Sequence, residues 1–430
     1  MSLLVVGSGV FGLSTAIEAA RKGYSVVAID KHSVPSPYSA AYDFNKIIRS
    51  EYDSPMYAKM SLDAMDIWTS DPKFSKTYFE CGRLSICPTS NAGRRKFDDT
   101  SIEVLTQLGK ADKIRKYTDG ETLKKDLECL KDCEFSENDV YVYNGRAGFA
   151  HAANALKAAY EIATDLGVKF VFGEAGEATK IIEEDGKSYV LTKSGAKYTA
   201  DRILVTCGAS TGYVINMGGI QSASGVFVTH VQLTPEEAKK MQDIPIIFDA
   251  GLGYFFPPDL EKRLVKICVS GTAAAHTVDN PHAQGKVSLP RYKKDSPTDT
   301  IPKHMTLQAR KLLGRYFPEL AAKPFVDSKT CWLADSSNSD FIIDKVPDYK
   351  NVYVASGDSG HGFKFLPNIG QYILKLLDGQ LDQEIVQKWK WRPEIEGVEK
   401  YEKTNWKLTK ELLDFNKIDF VEESTGDSLS

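Results

Sequence analysis

The chain has 430 residues, of which 42% are hydrophobic and 26% are charged, and its formal net charge is −4. A chain of this length is too long for one ordinary core, so it predicts two closely packed domains. The near-neutral charge gives no support to a nucleic-acid or membrane-surface partner. No run approaches the ~18 uncharged apolar residues that a membrane-spanning helix needs.

The cysteines and the two ends of the sequence suggest a compartment. Seven cysteines without framework spacing predict reduced thiols, and Cys129 and Cys133 have no neighbouring His or Cys that would complete a zinc site, so no metal is expected. A strand-like run follows Met1 directly, which argues against a cleavable signal peptide. The final residues DSLS differ from the Ser-Lys-Leu peroxisomal address. We therefore expect a cytoplasmic protein, with the peroxisome as an alternative.

The first motif is LLVVGSGVFGLSTAIEAARKGYSVVAID, which predicts a strand, a tight turn, a helix and a second strand. A G-x-G-x-x-G pattern falls on Gly7, Gly9 and Gly12, and Val10 and Phe11 lie between the last two glycines. These glycines permit the turn, the approach of a pyrophosphate to the backbone and close packing of helix on strand. The N-terminus of the helix offers unpaired N–H groups to the phosphates. We expect a dinucleotide site.

Asp30 ends the second predicted strand, where it is placed to accept a hydrogen bond from a ribose hydroxyl. The alternative is a carboxylate that is merely solvated at a strand end. Lys31 follows it and is included in the predicted site. A motif so early in a chain suits an FAD protein, but its position does not separate FAD from NAD.

Later segments of the sequence alternate between patterns typical of helices and patterns typical of strands. Apolar residues at helical spacing over 56–68 predict a helix whose methionines and aromatics form core rather than a cofactor contact. Residues 224–270 are rich in aromatic and β-branched residues, which is typical of an antiparallel sheet, and a helix is expected from about 304 to 316. The pattern therefore predicts a chain that crosses repeatedly between a Rossmann-like domain and a sheet-based domain.

Six segments spread over most of the chain form a recognisable set: GSGVFGLSTA, DFNKIIRSEY, LVKIC, CWLADSSNSDFIIDKVP, ASGDSGHGFKFLPNIG and WKWRP. Together they resemble the fungal FAD-dependent amine oxidases of the sarcosine oxidase fold. The resemblance is to fructosyl amino acid oxidases (amadoriases) and their relatives, the saccharopine and pipecolate oxidases. The glycine fingerprint is shared with many flavoproteins, whereas D-x-N-K-I-I-R together with S-G-D-S-G-H-x-F-K is far more specific.

The resemblance implies an α/β fold in which a Rossmann-like FAD-binding domain is interleaved with a mixed or antiparallel-sheet substrate domain, as in sarcosine oxidase and D-amino acid oxidase. We assign the FAD-binding domain to 1–55, 145–215 and 325–380, and the substrate domain to 56–144 and 216–324. Residues 381–430 are expected to form a C-terminal segment that packs on the body. Most relatives imply a monomer.

Two residues acquire roles from the resemblance. The cysteine that matches Cys331 carries the flavin covalently in the family, as a thioether to the 8α-methyl group; the alternative is a buried free thiol. Lys266 lies in an apolar predicted strand, where alternation groups it with Leu264 and Cys268, and a lysine there is costly to bury without a partner. In the family this lysine promotes reaction with oxygen by stabilising the developing negative charge. The alternative is an edge-strand lysine that faces solvent.

Lys46 and Arg49 are three residues apart in NKIIR, so they share a face if the segment is helical and do not if it is extended. The family places this segment against the flavin, which implies that one cation contacts its pyrimidine edge and the other the substrate. The alternative is a solvated basic pair.

The stretch ASGDSGHGFKFLP, residues 355–367, predicts a glycine-rich loop that opens a helix. The resemblance implies that the helix directs its positive end at the flavin and that Lys364 faces a substrate carboxylate. A plain helix N-terminus with surface His and Lys is the alternative. The expected cofactor-binding residues of this loop are Gly357, Asp358, Gly360, His361 and Gly362, with His361 also a candidate catalytic residue.

The predicted reaction is the oxidation of a secondary amine in an N-substituted amino acid, with O2 as acceptor and peroxide as product. Fructosyl amino acids are the first expected substrates, and saccharopine or pipecolate is the alternative. Amadoriases carry an acidic residue four positions after the oxygen-activating lysine, and here that position is Ser270, a candidate substrate contact. An arginine that binds the substrate carboxylate in the family has no clear match in EGVEKYEKTNWKLTK.

Two other classes of protein compete with this interpretation. An NAD-dependent dehydrogenase would use the same N-terminal fingerprint, but it would have no use for Cys331 or for the second glycine loop. A dinucleotide-binding module without turnover would keep the fold and would not be reduced by any amine.

Overall fold

The computed structural model describes residues 1–269, 273–393 and 412–421. The strands in chain order are β1 Ser2–Val6, β2 Ser25–Ile29, β3 Lys46–Ile48, β4 Tyr78–Glu80, β5 Arg83–Pro88, β6 Ile114–Tyr117, β7 Asp139–Asn144, β8 Gly148–Ala150, β9 Lys169–Val171, β10 Ala178–Glu184, β11 Lys187–Thr192, β12 Lys197–Tyr198, β13 Arg202–Val205, β14 Gln221–Gln232, β15 Ile246–Asp249, β16 Gly253–Phe255, β17 Leu264–Val269, β18 Ala273–Ala275, β19 Thr277–Asp279, β20 Lys286–Ser288, β21 Phe325–Ser336, β22 Ile342–Lys345, β23 Val352–Ser356 and β24 Leu412–Asp414.

The α-helices in chain order are α1 Val10–Arg21, α2 Pro55–Ser70, α3 Ala92–Gln107, α4 Gly120–Asp126, α5 Ala152–Asp165, α6 Thr211–Val214, α7 Pro235–Met241, α8 Lys303–Tyr316, α9 Ile369–Leu377 and α10 Gln383–Trp389. The two helices expected from apolar spacing are present as α2 and α8. None of the helices in the described ranges is both long enough and apolar enough to cross a membrane.

A six-stranded sheet holds the nucleotide motif, in the order β22-β23-β13-β1-β2-β9. Its inner strands are parallel, and β22 joins as an antiparallel edge. Leu3 and Val5 of β1 pack into the core shared with α1 and α5, whereas Leu4 and Val6 pack into a second core on the opposite face. Burial on both faces explains why β1 reads as an unbroken apolar run.

The larger sheet follows the order β24-β18-β14-β17-β16-β15-β5-β7-β6, and β21 also pairs with β14. β14 and β21 are each twelve residues long and run antiparallel. One face packs on α8 in a separate hydrophobic core. The antiparallel texture expected for 224–270 is therefore present, with the exception that β15 pairs in parallel with β5.

The strand pairing bears on the domain boundaries, which remain a proposal. Residues 325–336, which the sequence analysis assigned to the FAD-binding domain, form β21 and pair with β14 of the larger sheet. Cys331 and Trp332 are both buried and pack in different clusters, and local sequence alone does not indicate with which sheet such a strand pairs. Strands β3, β8 and β4 form a separate three-stranded sheet.

The C-terminal segment packs on both parts of the body. In α10 the indole of Trp389 donates to Tyr57 Oη (3.0 Å), and Arg392 donates to the carbonyl of Phe341 (3.2 Å). Residues 412–421 pack instead on the larger sheet, where the Phe415 ring lies 5.0 Å from Trp332. The segment 394–411 and the last nine residues lie outside the described residues.

A polar cluster around Asp378 ties the end of α9 to the six-stranded sheet. Lys22 Nζ and Tyr24 Oη each donate to its carboxylate at 2.6 Å, and Arg202 donates as well. Burial alone would raise the pKa of Asp378, but the three donors outweigh it and hold the pKa at about 2. The carboxylate thus stabilises the folded state in its charged form.

We expect Asp378→Asn to lower the free energy of unfolding at pH 7 by about 1 kcal/mol, since solvent screens part of the ion-pair energy. Because the folded pKa lies below the ordinary value of 3.8, this stabilisation is present above pH 3.8 and lost as the pH falls through about 2. Urea unfolding of both proteins from pH 7 to pH 2 measures it. The matched control is Asp279→Asn, whose side chain is 89% exposed. A deficit that stays constant down to pH 2 would contradict the assignment.

Candidate active site

A cavity of about 590 Å³ lies at the carboxyl ends of the parallel strands of the six-stranded sheet. Its walls come from the loops that follow β1, β2, β13 and β23. In open parallel sheets ligands bind at this edge, because the helix N-termini and loop amides converge there. Val10, Phe11, Lys46, Trp332 and Leu333 complete part of the wall.

Each of the three fingerprint positions requires glycine for a different structural reason. Gly7 has φ of +105°, and a Cβ there would lie 2.7 Å from the carbonyl oxygen of Thr206. A Cβ on Gly12 would lie 1.9 Å from the carbonyl oxygen of Gly7, so helix and turn pack too closely for any side chain. At Gly9, by contrast, none of the described atoms lies within 4 Å of such a Cβ. Gly9 therefore leaves open space at the cavity wall, as a pyrophosphate contact requires.

Asp30 lines the cavity and holds the turn. Its carboxylate accepts from the backbone N–H of Ser8 (2.7 Å) and of His32 (3.0 Å). Burial raises the pKa of Asp30, and the two backbone N–H groups oppose that shift. The Ser8 hydroxyl is buried with no partner among the described residues, which leaves a polar group available to a nucleotide. Lys31 also lines the cavity, and it pairs with Glu177 at 2.6 Å.

The second glycine loop follows β23. Gly357 and Gly360 have φ of +72° and +76°, and a Cβ at Gly362 would lie 2.9 Å from Asp358 Cβ. The loop is held by the end of β21, since Ser359 N donates to the Ala334 carbonyl (2.9 Å). Asp358, Gly360 and Gly362 line the cavity. A helix follows this loop, as expected, but not directly. A 3-10 turn at Phe363–Phe365 comes first, and α9 begins at Ile369.

Cys331 lies on β21 and is 8% exposed. Its thiol is 3.6 Å from the carbonyl oxygen of Ala40, a cavity-lining residue, and the next two residues, Trp332 and Leu333, also line the cavity. Cys331 shares a buried cluster with Cys268 of β17. The indole of Trp332 donates to the Arg291 carbonyl at 2.7 Å, and the side chain is buried.

Lys266 is 1% exposed, so the alternative of a solvent-facing edge lysine does not hold. Its ammonium lies 2.6 Å from Asp43 Oδ2 and donates to the carbonyl of Asn45 at 2.8 Å. Burial lowers the pKa of Lys266, and the Asp43 carboxylate opposes that shift. The same Asp43 oxygen lies 2.6 Å from Lys46 Nζ.

The conformation of NKIIR settles the alternative left open above. Residues 46–48 form β3, an extended segment, so Lys46 and Arg49 do not share a face. Lys46 reaches the cavity wall, whereas Arg49 is buried with its guanidinium 4.8 Å from the centre of the Tyr52 ring. Burial lowers the pKa of Lys46, but Asp43 more than offsets it, so the net shift is upward.

Three buried cations, Arg49, Arg83 and Lys364, lie in the neighbourhood of Glu51. Arg83 Nη1 lies 3.3 Å from Glu51 Oε1, and Arg49 donates to the backbone carbonyl of Glu51. Burial, followed by the neighbouring Arg94 and Arg49, lowers the pKa of Arg83 to about 10. Arg83 Nε has no hydrogen-bond partner among the described residues. Like charges held this close in a dry environment favour the arrival of an anion.

Lys364 is 5% exposed and donates at 2.9 Å to both Tyr52 Oη and the His361 carbonyl. Burial, and then the charge of Arg49, lower the pKa of Lys364 well below its ordinary value. Lys364 thus lies with Arg49, as a carboxylate-binding pair requires, but not on the wall of the nucleotide cavity.

His361 is buried, and its ring stacks on Phe341 at 4.7 Å. Its Nε2 faces the carbonyl oxygen of Ser339 (2.9 Å), which can only accept, so Nε2 carries a proton and Nδ1 accepts from Tyr52 Oη (3.0 Å). Protein groups therefore engage both ring nitrogens. This placement favours a role in orienting Tyr52 and the glycine loop over one in proton transfer.

Several residues of the site were missed by the sequence analysis: Asp43, Glu51, Tyr52 and Arg83. Asp43, Glu51 and Tyr52 belong to DFNKIIRSEY, a segment whose lysine and arginine alone were predicted as site residues. Arg83 opens β5, and the sequence carries no signal that this end of the strand meets Glu51. The predicted contact Ser270 lies outside the described residues. Within the described ranges, no group of three His, Cys, Asp or Glu side chains forms a candidate metal site.

Comparison with known proteins places the chain in context. A family model described as FAD dependent oxidoreductase matches residues 2–376. L-saccharopine oxidase of Schizosaccharomyces pombe is 37% identical over 434 residues, which cover 98% of this chain and 99% of that protein. A thermally stable mutant of fructosyl peptide oxidase superposes with a TM-score of 0.89 at 26% identity, covering 98% and 99% of the two chains. Fructosamine oxidase (Amadoriase II) of Aspergillus fumigatus gives a TM-score of 0.85 at 31% identity, covering 99% and 98%.

The two types of glycine in the fingerprint should separate folding from nucleotide binding. We expect Gly12→Ala to impair folding, because its Cβ would collide with the backbone of Gly7. Gly9→Ala should fold with a melting temperature close to that of the native chain, yet lose FAD affinity at least tenfold, because its methyl group occupies the space for the pyrophosphate. Circular dichroism and FAD titration of the cofactor-free chain measure the two effects. Equal losses of stability in both variants would contradict the distinction.

Proposed function

The chain belongs to the FAD dependent oxidoreductase family, and from that premise we propose that it oxidises the secondary amine of N-substituted amino acids that carry several carboxylates. Saccharopine is the first candidate substrate. It contains one secondary amine and three carboxylates, and the substrate loses a hydride equivalent from a carbon next to that nitrogen. Water then hydrolyses the resulting imine to a carbonyl compound and a primary amine.

FAD, when bound, accepts the hydride equivalent and passes its two electrons to O2, which takes up two protons and becomes hydrogen peroxide. The residues of the fingerprint and of the second glycine loop fit such a group, because Gly9 leaves open space and the buried Ser8 hydroxyl lacks a partner among the described residues. In this proposal Lys46 contacts the cofactor from the cavity wall.

Lys266 is proposed to stabilise the negative charge that develops on oxygen. Its position supports this role, because the ammonium is buried and fixed by two contacts. A cation that is already aligned acts without the reorganisation that a solvated one would need. Arg49 and Lys364 are proposed to bind a substrate carboxylate and so to orient the C–H bond that breaks.

The observation that carries the substrate class is the group of three buried cations around the single carboxylate of Glu51. A sugar hydroxyl would leave their charge uncompensated, whereas carboxylates would pair with it. The 37% identity to a saccharopine oxidase over nearly the whole chain favours the same choice. Fructosyl amino acids, the first expectation from sequence, remain the second candidate because of the structural similarity to fructosyl peptide oxidase.

Cys331 is proposed to hold the cofactor covalently. Supporting this, the thiol is buried beside the cavity-lining Ala40, and Trp332 and Leu333 line the cavity. Forming the thioether would break the S–H bond of Cys331 and one C–H bond of the flavin 8α-methyl group, a two-electron oxidation. O2 would take up the two electrons and the two protons as hydrogen peroxide, so the step balances with the oxidant of turnover.

The remaining expectations are proposals as well. The substrate and O2 are small molecules, and we propose a monomer in the cytoplasm. Light scattering of the purified protein tests whether it is a monomer, and localisation of a tagged chain tests the compartment.

Changing Cys331 should release the flavin. After acid precipitation, the yellow colour of the native protein should stay with the pellet, and that of Cys331→Ala should pass to the supernatant. The matched control is Cys268→Ala, since Cys268 belongs to the same buried cluster. The yellow colour of this variant should stay in the pellet. Release of colour from the native protein would exclude the covalent link. Release from the Cys268 variant alone would show that the flavin is linked to Cys268 and not to Cys331.

A panel of amines tests the substrate class. Peroxide release should give a higher kcat/KM for saccharopine, which has three carboxylates, than for fructosyl-lysine or sarcosine, which have one each. Each lost carboxylate contact should cost about tenfold or more, because charge-assisted hydrogen bonds are worth roughly 1.5–3 kcal/mol. Anaerobic bleaching of the flavin by each amine confirms that binding rather than oxygen sets the order. Preference for sarcosine would contradict the proposal, and preference for a fructosyl amino acid would support the second candidate.

A further inference from the structure

Asp43 is a buried carboxylate that contacts two lysines at once. We propose that Asp43 is a positioning residue that keeps Lys266 charged and aimed for the reaction with oxygen while it fixes Lys46 at the cavity wall. This inference rests on the proposed role of Lys266 and goes beyond it, because it makes the oxygen step depend on a residue in a different segment of the chain.

The geometry of the carboxylate leaves it little freedom. Oδ2 lies 2.6 Å from both Lys266 Nζ and Lys46 Nζ, and Oδ1 accepts from the backbone N–H of Phe44 at 2.9 Å. The backbone carbonyl of Asp43 accepts from Ala153 N at 3.1 Å, which anchors the loop on the start of α5. The side chain is 2% exposed. Its two oxygens therefore hold fixed directions.

Lys266 depends on this carboxylate for its charge. Its other contacts are the Asn45 carbonyl and the face of the Phe256 ring, whose centre is 5.0 Å from Nζ. Both of these contacts favour a cation, yet neither carries a compensating full charge. Burial of an ammonium without a counter-ion lowers its pKa by as much as ~3–5 units.

The other titratable groups around Asp43 do not replace it. Lys46 from its own segment and Lys329 from β21 add positive charge, and His230, opposite Lys266 on β14, carries a pKa lowered by burial. Cys268 and Tyr254 from β17 and β16 are buried, and burial raises the pKa of both. Without Asp43 the two lysines would repel each other with no carboxylate between them, which would lower the pKa of Lys266 further.

The kinetic test uses the holoenzyme and Asp43→Asn, which keeps the size of the side chain and removes its charge. Anaerobic flavin reduction by substrate should stay within about threefold of the native rate. The rate of reoxidation by O2 should fall at least tenfold at pH 9 and recover as the pH is lowered toward 6, because added protons restore the charge of Lys266. Stopped-flow absorbance measures both half-reactions. A native oxygen rate at every pH, or a loss that does not vary with pH, would overturn the proposal.

A second measurement needs no turnover. In Asp43→Asn the uncompensated lysine is neutral in the folded state and protonated in the unfolded state between its lowered pKa and about 10.5. The unfolded state then binds more protons, so the stability of this variant rises with pH more steeply than that of the native protein. Its deficit in melting temperature should be largest at pH 7 and shrink toward pH 10. A deficit that is constant with pH would indicate a merely structural role.

Three further variants separate the possible failures. Lys266→Met should slow reoxidation at all pH values, and an unchanged rate would refute the proposed role of Lys266 while the unfolding experiment still tests its pairing with Asp43. In the double variant Asp43→Asn/Lys266→Met the steeper pH dependence of stability should disappear. Asp43→Glu should restore the native pH dependence. The matched control Asp327→Asn removes a 65%-exposed carboxylate 3.9 Å from His230 and should behave as the native protein does.

Discussion

The pairing of Asp43 with Lys266 joins parts of the chain that are distant in sequence. Asp43 lies in the loop before β3, beside residues that line the nucleotide cavity, whereas Lys266 lies in the middle of the larger sheet. Burying two charges costs several kcal/mol per ion unless the geometry is good and other hydrogen bonds satisfy the remaining atoms. Here Phe44 N and the Asn45 carbonyl supply those bonds. The loop beside the nucleotide cavity is thus connected to the larger sheet by an interaction that tolerates little displacement.

The sequence predicted those parts of the site that depend on local backbone requirements. Gly7 and Gly12 could be assigned because a strand, a tight turn and a helix in succession leave no room for a Cβ. α2 and α8 could be predicted because apolar residues recur at helical spacing. The start of α9 could not, because a glycine-rich loop is compatible with either a helix or a 3-10 turn, and the packing of Gly370 against α1 decides where the helix begins.

Pairings between distant segments were beyond local patterns. The burial of β21 does not alternate, and its membership in the larger sheet follows from its register with β14. Likewise, nothing near Arg83 in sequence indicates that its guanidinium meets Glu51. The resemblance identified DFNKIIRSEY as a functional segment, but the distinct tasks of Asp43, Lys46 and Arg49 depend on the extended conformation of β3.

The two groups of buried cations differ in how their charge is compensated. Lys266 and Lys46 share Asp43, so one positive charge remains, which suits a single negative charge that develops during reaction. Arg49, Arg83 and Lys364 share Glu51, and the pKa of Lys364 is lowered by burial and by Arg49. A carboxylate that binds beside Lys364 would oppose both effects and favour its charged form, whereas a neutral sugar would not.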